Sequence, residues 1–214
     1  TEKPMDVSGG AWTGYVEKLR RGMSVGREED TIVLCGDRSW GMSLPQARED
    51  FAFLAAFPGR KLLLKGNHDY WWTTAAKMTR FFQENGFEGF ELLHNNCALY
   101  GEVALCGTRG WFYEEDRGGH DEKVFRRELI RLETSLQMAG DREKYCFLHY
   151  PPCYEGYRCP EIMELLERYG VTRCYYGHLH GASHRLSVQG MVGSVCYRMV
   201  SADYLNFRPE KICD

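Results

Sequence analysis

The chain has 214 residues, 43% of them hydrophobic, with 27 lysines and arginines against 30 acidic residues and a formal charge of -3. That length suits one well-buried domain, and a near-neutral balance without a long basic block argues against a general nucleic-acid binder. No apolar run reaches the roughly 18–20 residues of a membrane span and no secretory apolar region is visible, so no membrane partner is expected. Nine cysteines form no CxxC pair, and Cys35, Cys106, Cys146 and Cys174 sit in apolar runs. They read as reduced core thiols of a cytoplasmic protein.

The segment from Trp12 to Leu19 has helical spacing and is expected to end near Gly22. Thr31 to Cys35 is a β-branched apolar strand that runs straight into Gly36-Asp37. Ser43-Leu44-Pro45 opens a helix with Phe51, Leu54, Ala55 and Phe57 on one stripe. Lys61-Leu62-Leu63-Leu64-Lys65 then reads as a short buried strand ending in Gly66-Asn67-His68-Asp69. Thr73 or Thr74 can cap the next helix, which carries Ala76, Met78, Phe81 and Phe82 and stops near Gly86.

Further strands are expected at 90–93, 97–100 and 103–106, the last pair joined by a turn at Gly101-Glu102, and Gly107-Thr108-Arg109-Gly110 follows them. The longest helix spans 120–139, with His120 and Asp121 at its start in exposed or capping roles. The pattern of strand and turn then returns twice, as Tyr145-Cys146-Phe147-Leu148 before His149 and as Arg173-Cys174-Tyr175-Tyr176 before Gly177-His178-Leu179-His180. Pro160 opens a helix between them that Gly170 closes, and the tail alternates weakly through Val195, Tyr197 and Met199. Alternation of strand and helix implies an α/β fold with ligand-type side chains at the strand ends.

Those strand ends gather Asp37, Asn67, His149, His178 and His180, with His68 beside them. Carboxylate, amide oxygen and imidazole nitrogen suit Mn, Fe, Zn or Mg-like divalent ions better than a thiolate site does. In an extended segment His178 and His180 point the same way, so that the pair can serve two adjacent ions, and a carboxylate such as Asp37 can bridge them.

The ordered set Gly36-Asp37, Gly66-Asn67-His68-Asp69, His149 and Gly177-His178-Leu179-His180 resembles the motifs of the calcineurin-like metallophosphoesterases. The wording around them, from Ser39-Trp40 to His149-Tyr150-Pro151-Pro152 and Ser201-Ala202-Asp203-Tyr204-Leu205, is similar to a small cytosolic bacterial branch. The resemblance implies a four-layer α/β/β/α sandwich over residues 1–214. It implies that Asp37 bridges two divalent ions, that Asn67, His149 and His178 complete one, and that His180 binds the other. It also implies that His68 contacts phosphate or protonates the leaving group, that Asp69 holds the His68 imidazole, and that metal-bound hydroxide attacks phosphorus in line.

Two departures stand out. The Asp-x-His motif of the family's first core strand does not occur before Gly36, so the chain is expected to lack that strand and to bind one ion better than two. Asp6 is a weak substitute ligand, a helix cap or exposed turn being the commoner role. Arg38 follows the bridging carboxylate where the branch usually has an apolar residue; it can pair with Asp37 or reach solvent or a phosphate. The leading expectation is a phosphoesterase acting on a small phosphorylated or phosphodiester substrate. Arg109 is the candidate anion contact, and Trp40, Tyr70, Trp71, Trp72, Trp111, Phe112 and Tyr113 lie near the site turns. A nuclease, a phosphoprotein phosphatase or a catalytically impaired binding protein on the same scaffold are the alternatives.

Overall fold

The computed structural model describes residues 10–111 and 119–213. After a short 3₁₀ turn at Gly10–Trp12 come α1 (Tyr15–Met23), β1 (Thr31–Leu34), α2 (Leu44–Ala55), β2 (Arg60–Leu63), α3 (Ala75–Glu84) and β3 (Phe90–Leu92). They are followed by β4 (Cys97–Tyr100), β5 (Val103–Thr108), α4 (Gly119–Met138) and β6 (Glu143–Leu148). The small hairpin of β7 (Cys153–Tyr154) and β8 (Tyr157–Arg158) leads to α5 (Pro160–Arg168) and β9 (Val171–Tyr176). A 3₁₀ turn at Gly181–Leu186 precedes β10 (Gly190–Val192) and β11 (Val195–Met199). Thr74 caps α3 by accepting the Lys77 N–H. The sequence reading had no hairpin at β7 and β8 and no 3₁₀ turn after His180.

Besides the β7-β8 hairpin, the described residues form two larger sheets, a parallel one in the order β1-β2-β3 and a six-stranded one in the order β10-β11-β9-β6-β5-β4. Within the larger sheet β11, β9, β6 and β5 run parallel, and β10 and β4 are antiparallel edges.

Side-chain alternation along each central strand sorts residues into three apolar layers. Leu62 and Leu64 of the smaller sheet meet Leu105, Tyr145, Phe147 and Tyr175 of the larger one between the sheets. Leu63 points the other way, into Phe51 of α2 and Met78 and Phe82 of α3. Cys106, Cys146, Leu148 and Cys174 pack beneath Leu132 and Leu136 of α4 and Leu165 and Leu166 of α5. The molecule is therefore a four-layer α/β/β/α sandwich. Leu62, Leu63 and Leu64 are completely buried, and each contributes roughly 1.5–3 kcal/mol by leaving water.

Register brings the strand ends together. Leu34 lies opposite Leu63, with the Leu64 N–H donating to the Leu34 carbonyl at 3.0 Å, so the turns after β1 and β2 emerge side by side. Leu148 lies opposite both Thr108 and Tyr176, which places His149 between the turns that follow β5 and β9.

β1 is paired on one side alone among the described residues. Its residues Thr31 to Leu34 are half-buried despite their apolar character. Alternate residues of a strand turn their N–H and C=O groups to opposite sides, so those of Thr31 and Val33 face away from β2. A cavity of about 1410 Å³ opens along β1, walled by Leu19 and Met23 of α1, Phe147 and Tyr175 of the larger sheet, and Ile212 of the tail.

Candidate metal centre

Two glycines allow the site turns to touch. Gly36 has φ 100, and a Cβ there would lie 2.5 Å from His149 Nδ1 and 2.7 Å from the Gly66 Cα. A Cβ on Gly66 would collide with Asp37 Oδ1. No other residue type permits that approach. Asp37 and His178 themselves adopt left-handed backbone, with φ 54 and 69, which is uncommon outside glycine, though Asp and His tolerate it better than most, and recurs at functional sites.

Asp37, Asn67, His149 and His178 converge. His149 donates from Nδ1 to the Cys35 carbonyl at 2.8 Å, which leaves a lone pair on Nε2. That nitrogen lies 2.6 Å from Asn67 Oδ1 and 3.5 Å from Asp37 Oδ2. His178 Nδ1 lies 3.2 Å from the same amide oxygen. Burial pushes the His149 imidazole down to about 4, outweighing the hydrogen bond to Cys35 and the charge of Asp69 that favour the cation. Burial, aided by His149, takes His178 down to about 4 as well. Asp37 is pushed above the ordinary carboxylate value by burial, against the hydrogen bond from the His68 N–H.

Near neutral pH the His149 imidazole is neutral, and its Nε2 lone pair faces the Asn67 amide oxygen, with an oxygen of Asp37 close by. Such a cluster of acceptors is what a divalent ion requires, and ligand atoms of Asp37, His149 and His178 all lie within 4.8 Å of one another. The residues present fit the group.

His180 stands apart from this set. The segment is not extended, because the left-handed turn at His178 breaks the alternation on which the expected common direction of His178 and His180 rested. His180 instead places Nδ1 2.7 Å from Asp203 Oδ1, in a second group with His184. Burial alone would raise Asp203, but the hydrogen bonds from His180 and the Gly181 N–H prevail and hold its carboxyl well below the usual range. Sequence reasoning assigned Asp203 no role, although it follows β11 as Asp37 follows β1. His180 lines the same cavity as Asp37, His68, His149 and His178.

The expected role of Asp69 is corrected. Its carboxylate accepts the backbone N–H groups of Gly66 at 2.7 Å, Asp37 at 2.9 Å and Arg38 at 3.0 Å, and the Trp71 indole N–H at 3.0 Å. With those acceptor positions filled, Asp69 ties the two turns together. The His68 imidazole rests elsewhere, with Nδ1 3.1 Å from the Tyr70 hydroxyl and its ring 4.4 Å from that of Trp40. The His68 N–H donates to Asp37 Oδ1 at 2.8 Å, which fixes this residue beside the centre.

Arg38 turns to Asp69 at 3.3 Å, with side-chain exposures of 6% and 0%, and donates to the Leu34 carbonyl. Its guanidinium also lies over the Trp71 and Trp72 rings. The pairing with Asp37 expected as one option is thus taken by a neighbouring carboxylate.

The Arg109 guanidinium lies over the Tyr150 ring at 5.9 Å, and that ring packs against His178 at 4.7 Å. Trp71 and Trp111 are core residues, whereas Tyr70 is exposed. Asp6, Phe112 and Tyr113, and the side chains of His120 and Asp121, lie outside the described residues.

No curated protein matches the chain. Of the solved structures, that of TT1561 from Thermus thermophilus has a TM-score of 0.55 and 13% identity, covering 87% of this chain and 83% of that one. Another has a TM-score of 0.46 and 11% identity over 72% of this chain, which spans 62% of that structure's length. The likeness to TT1561 is one of fold. The family model for calcineurin-like phosphoesterases matches residues 9–182, across the strand-end motifs and the acceptor cluster they build. The chain belongs to the calcineurin-like phosphoesterase family, in which phosphoesters are hydrolysed with divalent metal ions.

Proposed function

We propose that the chain hydrolyses a phosphomonoester or phosphodiester of a small substrate at the cluster of Asp37, Asn67, His149 and His178. The observation that carries this is the 2.6 Å approach of Asn67 Oδ1 to a His149 nitrogen whose other ring position already donates to Cys35. A divalent ion bound there supplies Lewis acidity toward a phosphoryl oxygen. Asp37, Asn67, His149 and His178 hold it. His68, anchored to Asp37 through its backbone and to Tyr70 through Nδ1, is the group that moves a proton at the leaving oxygen. Arg109, steadied on Tyr150, is the contact for a substrate anion.

His180 is the donor for a second ion. Among the described residues β1 is paired on one side alone, with a cavity beside it, and this supports the reading that a further strand pairs there. Arg38 pairs with Asp69 rather than with Asp37, and so does not oppose the hydrolase reading.

The test is metal content by elemental mass spectrometry together with turnover of p-nitrophenyl phosphate and bis-p-nitrophenyl phosphate in Mn²⁺. Turnover should need the ion, and Asn67→Ala should lose it. His68→Ala should keep the ion and lower kcat by about 10²–10⁴-fold. Hydrolysis of neither ester with Mn²⁺, Fe²⁺, Zn²⁺ or Mg²⁺, or full metal content in Asn67→Ala, would overturn the proposal.

A further inference from the structure

We infer that Asp203 is a positioning residue for His180, taking the Nδ1 proton into a hydrogen bond with its buried carboxylate so that Nε2 is left as the ligand nitrogen. The inference rests on the metal-dependent reading above.

The strands arrange the pair. Met199 of β11 lies opposite Tyr176 of β9, so the chain leaving β11 through Ser201-Ala202-Asp203 runs beside the chain leaving β9 through Gly177 to His180. The turn holding Asp203 is closed by the Phe207 N–H donating to the Ala202 carbonyl at 2.7 Å and the Leu205 N–H donating to Ser201 at 3.0 Å. Asn206 and Phe207 both take left-handed backbone to make it.

From that turn the Asp203 side chain, 0% exposed, reaches His180 Nδ1 with Oδ1 at 2.7 Å. Its Oδ2 accepts the N–H of the next residue, Gly181, at 2.9 Å. One carboxylate therefore grips both the ring of His180 and the backbone just after it. The Trp12 ring closes on the imidazole edge-on at 5.5 Å and is itself backed by Phe207 at 5.1 Å. A carboxylate acting only as a turn cap needs the backbone contact alone; the second oxygen on an imidazole nitrogen is the feature such a cap does not explain.

A neutral imidazole has one N–H, and placing it on Nδ1 leaves the lone pair on Nε2. Carboxylate partners of this kind fix tautomer and ring orientation, and losing one typically costs 10–100-fold in metal affinity. His184 brings Nε2 to 3.1 Å from Oδ2 without the alignment of a hydrogen bond, so it neighbours the pair rather than orienting it.

The tautomer is read by ¹⁵N NMR of histidine-labelled, ion-free protein above pH 7, with His180 assigned by its loss in His180→Ala. Wild type should carry the His180 proton on Nδ1, and Asp203→Ala should abolish that preference. Calorimetry with Mn²⁺ should then show affinity about 10–100-fold weaker in Asp203→Ala, partly recovered in Asp203→Asn, whose amide oxygen still accepts, and unchanged in His184→Ala. An Nε2-protonated His180 in wild type, or unaltered affinity in Asp203→Ala, would overturn the inference. So would a loss in His184→Ala as large as that in Asp203→Ala, which would make the His180, His184 and Asp203 trio a binding site in its own right. If wild type bound no Mn²⁺, the metal-dependent reading would fall, while the tautomer would still decide whether Asp203 sets His180.

Discussion

Replacing Asp69 by alanine should remove a large part of the molecule's stability without touching an apolar contact. The Asp69 side chain is fully buried and its partner Arg38 nearly so. Removing one member of a buried ion pair costs about 3–5 kcal/mol, because the other is left charged and unpaired. The Gly66 N–H and the Trp71 indole N–H, both buried, each lose their acceptor at a cost of at least about 1 kcal/mol, while the N–H groups of Asp37 and Arg38 lie beside the cavity, where water can replace part of what they lose. The expected loss is about 5 kcal/mol, set against the 5–15 kcal/mol typical of a whole domain.

The reverse deletion should be milder. In Arg38→Leu, Asp69 keeps its donors from Gly66, Asp37, Arg38 and Trp71, so a loss of about 1–2 kcal/mol is expected. The double variant Asp69→Ala/Arg38→Leu removes the orphaned cation and should recover about 2 kcal/mol relative to the sum of the single losses. Urea unfolding followed by circular dichroism measures all three. An Asp69→Ala variant within about 1 kcal/mol of wild type, or strict additivity in the double variant, would refute the assignment of Asp69 as the tie between the turns.

Gly36→Ala combines positive φ with a Cβ 2.5 Å from His149 Nδ1, so it should cost about 3 kcal/mol and weaken Mn²⁺ binding, whereas Gly14→Ala, at φ 64 in open space, should cost about 1 kcal/mol; urea melts and calorimetry separate them. Ion-free protein should lose stability on acidification. His149 and His178 titrate at about 4 when folded against 6.5 in the reference state, so the unfolded chain binds the extra protons first. The loss should begin as pH falls through 6.5 and level off below about 4, with a slope of up to about 1.4 kcal/mol per pH unit for each histidine, checked by urea midpoints across that window. Burial raises the thiols of Cys106 and Cys146, both fully enclosed, so neither should react with a disulfide reagent at pH 8 until denaturant is added, as peptide mapping of the labelled sites would show.

Much of the scaffold was legible because burial leaves a local trace. The leucine run at 62–64 and the alternation of Tyr145 and Phe147 with Cys146 and Leu148 could serve only strands packed on both faces. Glycine at the end of β1 and β2 marked the turns, since Gly36 and Gly66 are where two backbones meet. What escaped depends on conformation that no local pattern encodes. The left-handed His178 defeats the alternation rule, and the Asp69 carboxylate is directed by donors from a turn some thirty residues earlier. The β7 and β8 strands are two residues each, too short for periodicity to register.

The hydrogen bond from His149 to the Cys35 carbonyl has a mechanical consequence. His149 leaves the larger sheet and Cys35 leaves the smaller one, so the ring works as a rivet through both leaves, with Asn67 against its head. Any ligand that bonds to this cluster joins the leaves a second time, and whatever free energy it contributes opposes their parting. The three-stranded leaf, in which β1 is paired on one side alone among the described residues, is then the part whose opening such a ligand slows. Amide protons of β1 and β2 would report that added hold before those of β5 or β6, and occupancy of the centre could be read from the resilience of a leaf that the ligand touches only at its tip.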